Sequence, residues 1–205
     1  METEGVIKFV LDHQWQALPD NIDIADLEAA RSQLKERGLI GQDSARYGGL
    51  GFGNLSQRYH DDQFIVSGSQ TGELPGLLKR DYALVVKADL ATNRIWSQGE
   101  IKPSSESTTH ALLYQLSGDI GAVIHVHSPE IWHRFEDLDL LYTPEDAPYG
   151  SQQLVKSVTA LWEQKDLKSR GVFVMRGHQD GVMAFSGTVK GALANILALH
   201  QKCGF

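Results

Sequence analysis

The 205 residues hold one cysteine, Cys203, so no internal disulfide can form. A reducing, cytoplasmic setting is the expectation that follows. No apolar stretch approaches the roughly 20 residues of a membrane-spanning helix. Basic residues are in deficit, 19 Lys and Arg against 26 Asp and Glu, for a net charge of −7. That balance argues against nucleic acid or an anionic membrane as partner. The first residues carry acids where a secretory leader carries bases. Internal repeats and low-complexity segments are lacking, as is a G-x-x-x-x-G-K-[ST] phosphate loop. The run GGLGFGN (48–54) has no strand-to-helix setting of the kind a dinucleotide site needs. What is present is ordinary for a globular protein: 41% hydrophobic and 22% charged residues, enough for one domain over residues 1–205.

Periodicity predicts the elements. GVIKFVLDH (5–13) alternates as a strand, with Ile7, Phe9 and Leu11 on one face. ADLEAARSQLKERG (25–38) is a helix, with Leu27, Ala30 and Leu34 inward and Gly38 as its stop. QFIVS, YALVVKADL and NRIWS read as strands, the last two joined by a turn at Thr92-Asn93. A helix is expected to open after Pro103, capped by Ser104 or Ser105, and to close at Gly118. Residues 135–152 read as loop, and 152–171 as a single amphipathic helix ending at Gly171. Two strands around Asp180-Gly181 precede a last helix capped by Thr188. No regular strand–helix–strand alternation is present, so a doubly wound parallel sheet is not expected. The pattern is an α/β domain with a mixed or antiparallel sheet and helices on both faces.

AVIHVHSPE (122–130) raises the functional question. Alternation along a strand points His125 and His127 to one face and Ile124 and Val126 to the other. The two Cα atoms then lie about 6–7 Å apart, close enough for both rings to reach one ion at about 2.1 Å. Two half-buried histidines bonded to neighbours would leave the same pattern, so a third ligand decides. His178, in VMRGHQDGV at the end of an apolar strand, is the candidate, although it also suits an ordinary hairpin turn. Three histidines with an open position are the usual catalytic metal arrangement. His13, His60 and His200 look like surface, and His133 lies in a loop. His110 follows Glu106 at i+4, so both can face one site. Glu106, in the first turn of its helix, suits either the helix dipole or a role as proton carrier or ligand. Ser104, Ser105 and the loops GFGN and SGSQTG are rich in hydroxyls and close-approach backbone, which suits an anion.

Taken in order, G-N-x-S, then S-G or T-G, then K-P-S-S-E with a histidine four on, then H-x-H-S and a late histidine near glycine resemble the class II aldolase/adducin family, from about Leu27 to Leu199. The resemblance implies a three-layer α/β/α sandwich on a mostly antiparallel sheet. It implies that His125, His127 and His178 hold a divalent metal, commonly zinc, with Glu106 as the catalytic proton carrier. Asn54, Ser104 and Ser105 match phosphate-binding positions, and Thr71-Gly72 is preferred to Ser67-Gly68 as the remaining pair. The implied activity is an aldolase-like lyase acting on a sugar or sugar phosphate through an enediolate. A sugar-phosphate epimerase or dehydratase and a non-catalytic adducin-like module are the alternatives. Family members are often tetramers, so a homo-oligomer is expected. From Ser128 to Gly150 the chain is short, and none of Glu136, Asp137, Asp139, Tyr142, Glu145, Asp146 or Tyr149 matches a second catalytic group.

Overall fold

A computed structural model describes residues 5–204. The acids of the first residues, Glu2 and Glu4, therefore lie outside it. In chain order the elements are β1 (Val10–Trp15), α1 (Ala25–Glu36), β2 (Gly41–Gln42), β3 (Gly51–Phe52), β4 (Asn54–Arg58), β5 (Phe64–Ser67), β6 (Tyr82–Asp89) and β7 (Arg94–Gly99). There follow α2 (Ser107–Leu116), β8 (Ala122–His127), α3 (Pro129–His133), β9 (Leu141–Thr143), α4 (Gln152–Gln164), α5 (Leu167–Arg170), β10 (Val172–Met175), β11 (Gly181–Ser186) and α6 (Val189–Lys202). Nine strands form one sheet in the order β1-β7-β6-β5-β4-β8-β11-β10-β9. Its inner junctions are antiparallel, while the outermost pairs, β1 with β7 and β9 with β10, are parallel. The result is an α/β fold on a mixed, mostly antiparallel sheet. No helix among the described residues is long and apolar enough to cross a membrane.

β8 sits between β4 and β11, and all six of its residues are buried. Its alternation sorts the two faces. Ala122, Ile124 and Val126 join an apolar cluster with Leu27, Leu34, Ile196 and Leu199 of α1 and α6. Val123 joins the opposite cluster, with Phe64, Leu113 of α2 and Val158 of α4. His125 and His127 share Val123's face, as expected from the period of two. α1 starts and stops where its pattern predicts, and Gly38 follows it at φ 66°. Thr188 caps α6, its side chain accepting from the Gly191 N–H.

Several elements differ from expectation. β1 begins at Val10, later than the alternating pattern, though Phe9 and Leu11 do face the core. α2 begins at Ser107, so Glu106 is its N-cap and not a first-turn residue. Ser104 spends its hydroxyl accepting from the Glu106 N–H at 3.3 Å in a preceding turn. The expected long helix over 152–171 breaks into α4 and α5 because Asp166 takes a left-handed φ of 57°. β9 adds an edge strand within the expected loop by pairing with β10, and His133 ends a short helix. His13 is half-buried and bonded to Ser97 Oγ and the Gly99 carbonyl, and His200 is buried; both were expected at the surface.

His110 is wholly buried on α2, its Nδ1 2.7 Å from Ser56 Oγ, which also meets Tyr114 Oη at 2.7 Å. Burial pushes this imidazole down to about 3. The unfolded chain therefore takes up a proton that the folded chain refuses, and the stabilisation is full above the ordinary imidazole range and lost as pH falls through and below it. Urea unfolding of the metal-free chain should lose about 1 kcal/mol of this contribution between about pH 7.5 and 5.5. The slope should flatten in His110→Gln; an unchanged slope would contradict a neutral buried His110.

Candidate metal centre

Four side chains meet at the end of β8. His125 and His127 come from β8, His178 from the turn between β10 and β11, and Glu106 from the N-cap of α2. One ligand-type atom from each lies within 4.8 Å of all the others, and all four residues are buried. Glu106 Oε1 lies 2.9 Å from His125 Nε2 and 3.4 Å from His178 Nε2. Ring centroids are 4.9 Å apart for His125 and His127, 5.2 Å for His125 and His178, and 4.8 Å for His127 and His178. His110, although i+4 from Glu106, is not one of the four; it bonds to Ser56 instead.

The electrostatics suit a cation. Burial alone pushes the Glu106 carboxyl up, but His125 and His178 outweigh it and hold the group well below the ordinary carboxylate range. Burial, with His178 and His125 beside it, holds His127 well below the ordinary imidazole range, so that ring is neutral and competent as a ligand. His125 Nδ1 lies 3.2 Å from the Val182 carbonyl. A carbonyl only accepts, so Nδ1 donates to it, and Nε2 is the ring atom that faces Glu106 and the cluster. Both Glu106 oxygens are buried without an aligned hydrogen bond. A buried carboxylate left in that state is costly unless a cation completes it. Three imidazoles and a carboxylate are the donor set of a divalent transition metal.

Gly181 makes the convergence possible. A Cβ there would lie 2.8 Å from His178 Cδ2 and 3.3 Å from His125 Cε1. Gly53, at φ 74°, similarly brings β4 against β8: its Cβ would lie 2.4 Å from Ile40 Cγ2 and 3.1 Å from the His125 carbonyl.

Beside the four lies a small cavity walled by Gly51, Gly53, Asn54, Gly68, Thr71, Gly72, Ser104 and Ser105 among others. All five residues expected at an anion site, Asn54, Thr71, Gly72, Ser104 and Ser105, line it. Gly68 does so too, whereas Ser67 is occupied elsewhere, its Oγ accepting from the Leu55 N–H. The cavity adjoins the histidines through the chain itself: Asn54 is the register partner of His125, and Ser105 precedes Glu106. Asn54 Oδ1 is buried without a hydrogen-bond partner. The loop bearing Thr71 and Gly72 is fixed from α1. Buried Arg31 donates to the carbonyls of Thr71 (3.0 Å) and Leu74 (2.9 Å), and Lys35 Nζ donates to the Gly72 carbonyl at 2.8 Å.

Two tyrosines to which the sequence assigns no role wall the histidines. The Tyr149 ring meets His178 edge-on at 4.8 Å, and its hydroxyl donates to the Val6 carbonyl at 3.0 Å. The Tyr47 ring meets His127 at 4.6 Å, and its hydroxyl donates to Asp180 Oδ2 at 2.7 Å. Asp180 lies in a recognisable turn motif and Tyr47 beside a glycine run, but nothing local signals that the two meet.

Comparison with known proteins fits this geometry. The model of the Class II Aldolase and Adducin N-terminal domain matches residues 43–132. Methylthioribulose-1-phosphate dehydratase of Sulfurihydrogenibium sp. is 35% identical over 77 residues, 38% of this chain and 34% of that protein. The chain thus matches about a third of the length of this curated relative (34%). The dehydratase of the same name from Gluconacetobacter diazotrophicus is 28% identical over 168 residues, covering 72% of this chain and 78% of its own. Among solved structures, L-fuculose-1-phosphate aldolase of Thermus thermophilus superimposes with a TM-score of 0.62 at 18% identity, covering 88% of this chain and 90% of its own. A sugar-phosphate aldolase of Thermotoga maritima gives 0.63 at 14% identity, covering 88% and 91%. At those identities the likeness is one of fold.

The purified chain should hold about one divalent ion, by elemental mass spectrometry, and the His125→Ala, His127→Ala double variant none. Gly181→Ala, which pushes on two of the rings, should bind the ion roughly 10-fold more weakly. Full occupancy in the double variant would contradict the site.

Proposed function

We propose that the chain is a member of the class II aldolase/adducin family, on its match to that family's N-terminal domain, and that it is a metal-dependent lyase that eliminates water from a phosphorylated ketose. The observation that carries the reading is an ionised carboxylate, Glu106, set among three histidines at the wall of a small-residue cavity. Motif order alone puts carbon–carbon cleavage first. The dehydratase names of the relatives matched in sequence favour elimination instead. We read zinc as the ion held by His125, His127 and His178, and Asn54, Thr71, Gly72, Ser104 and Ser105 as the phosphate cradle. We also propose one domain, a homo-oligomer in the cytoplasm, tetrameric by the resemblance, and read the helices on the two sheet faces as the outer layers of an α/β/α sandwich.

When bound, the divalent ion supplies a Lewis acid that polarises the ketose carbonyl. The three histidines hold their ring nitrogens toward that position, and neutral rings leave its charge undiluted. The cradle fixes the phosphate end, so the reacting carbons are oriented before reaction. Glu106 moves the proton. The C–H bond beside the carbonyl breaks, and its proton passes to a Glu106 oxygen. The neighbouring C–O bond then breaks, and the departing hydroxide takes the same proton and leaves as water. A single carboxylate thus serves as base and then as acid, a contribution of about 10²–10⁴ in rate. Burial of the four side chains excludes bulk water from this exchange.

The test is product analysis with methylthioribulose 1-phosphate. Release of water to a dehydrated ketone, with turnover cut about 10²–10⁴-fold in Glu106→Gln, is the expected outcome. An aldehyde with dihydroxyacetone phosphate from a ketose 1-phosphate would instead mean aldol cleavage. No turnover of any ketose phosphate by the metal-loaded chain would favour a non-catalytic module.

A further inference from the structure

Two residues with full side chains flank His127 in the left-handed backbone region, Tyr47 at φ 49° and Asp180 at φ 61°. A bulky aromatic is disfavoured there and persists only where its surroundings over-determine it. The turn continues through Gly48 (φ 67°) and Gly49 (φ 76°), residues for which that region costs little. Glycine would suit position 47 equally well as backbone, so the reason for a tyrosine lies in its side chain.

That side chain is held from three sides. Its hydroxyl donates to Asp180 Oδ2 at 2.7 Å and accepts from Arg46 Nη2 at 2.9 Å. The same Arg46 nitrogen donates to the His127 carbonyl at 3.3 Å. The ring stands edge-on to His127 at 4.6 Å and to Phe52 at 5.0 Å. Asp180 is itself buried, and its carbonyl accepts from the Ser128 N–H, next to His127, at 2.8 Å. Tyr47 therefore connects the glycine-rich run leading into the cavity with the turn that carries His178, and both press on His127.

We infer that Tyr47, clamped by Asp180 and Arg46, is a positioning residue for His127, fixing the aim of that ring into the metal centre. The inference rests on the reading of Glu106, His125, His127 and His178 as a metal site. A mere loop staple in the same place would alter the stability of the chain but not the field felt by the ion.

Cobalt(II) bound to the full-length chain separates the two, because its visible absorption reports ligand geometry. Tyr47→Phe keeps the ring and removes the hydroxyl bonds; Tyr47→Gly relieves the backbone and removes the ring. Cobalt affinity should fall about 10-fold in Tyr47→Phe and further in Tyr47→Gly. The visible bands should shift in both, with far-ultraviolet circular dichroism unchanged. Wild-type bands and affinity in both variants, even with a lowered unfolding midpoint, would overturn the positioning role while leaving the metal centre intact. A wild-type chain that binds no cobalt would overturn the metal centre itself, and the role with it.

Discussion

Two imidazoles on a strand buried on both faces must be answered by something inside the protein, because bulk water does not reach them. β8 runs between β4 and β11, and one of its faces is committed to the apolar contacts of α1 and α6. The other face carries His125 and His127 into the same interior as Glu106. An ionised carboxylate with no aligned hydrogen bond is a costly thing to bury. The surrounding structure converges on that point: the Val182 carbonyl accepts a hydrogen bond from His125 Nδ1, Gly181 yields space for two rings, and aromatic rings wall two of the histidines.

The sheet divides the work between its faces. One holds the chain together through a largely apolar seam against α1 and α6. The opposite face carries both a hydrophobic cluster and the polar site at the ends of β8 and β10. The antiparallel register sets Asn54 beside His125 and Gly181 beside His127, so the cavity and the histidines share one rigid frame. The loop that completes the cavity is pinned from α1 by Arg31 and Lys35 as well as by its own turn, in which the Thr71 hydroxyl donates to the Gly68 carbonyl. The distance between the cavity and the histidines is therefore fixed by sheet and helix, which suits the orientation that the proposed reaction requires.

Local pattern made much of this legible. The period of two in AVIHVH announces both the buried strand and the shared direction of its histidines, and α1 and α6 carry ordinary helical faces and caps. Ser104, Ser105 and Glu106 were recognisable as a cluster, yet the start of α2 was not, because Ser104 uses its hydroxyl in a turn ahead of the helix. β9 is three residues long and exists only by pairing with β10, a contact without periodic trace in the sequence. The break at Asp166 lies inside a stretch of sound helical periodicity. Tyr47 and Asp180 lie 133 positions apart, and their hydrogen bond belongs to tertiary structure alone.

The convergence of three histidines on one ion is the claim on which the rest depends, and X-ray absorption at the zinc edge of the metal-loaded chain tests it most directly. Three imidazole nitrogens at about 2.0–2.1 Å, with the remaining shell made of oxygen, is the predicted result. A shell with fewer than three imidazoles, or one containing sulfur, would contradict it.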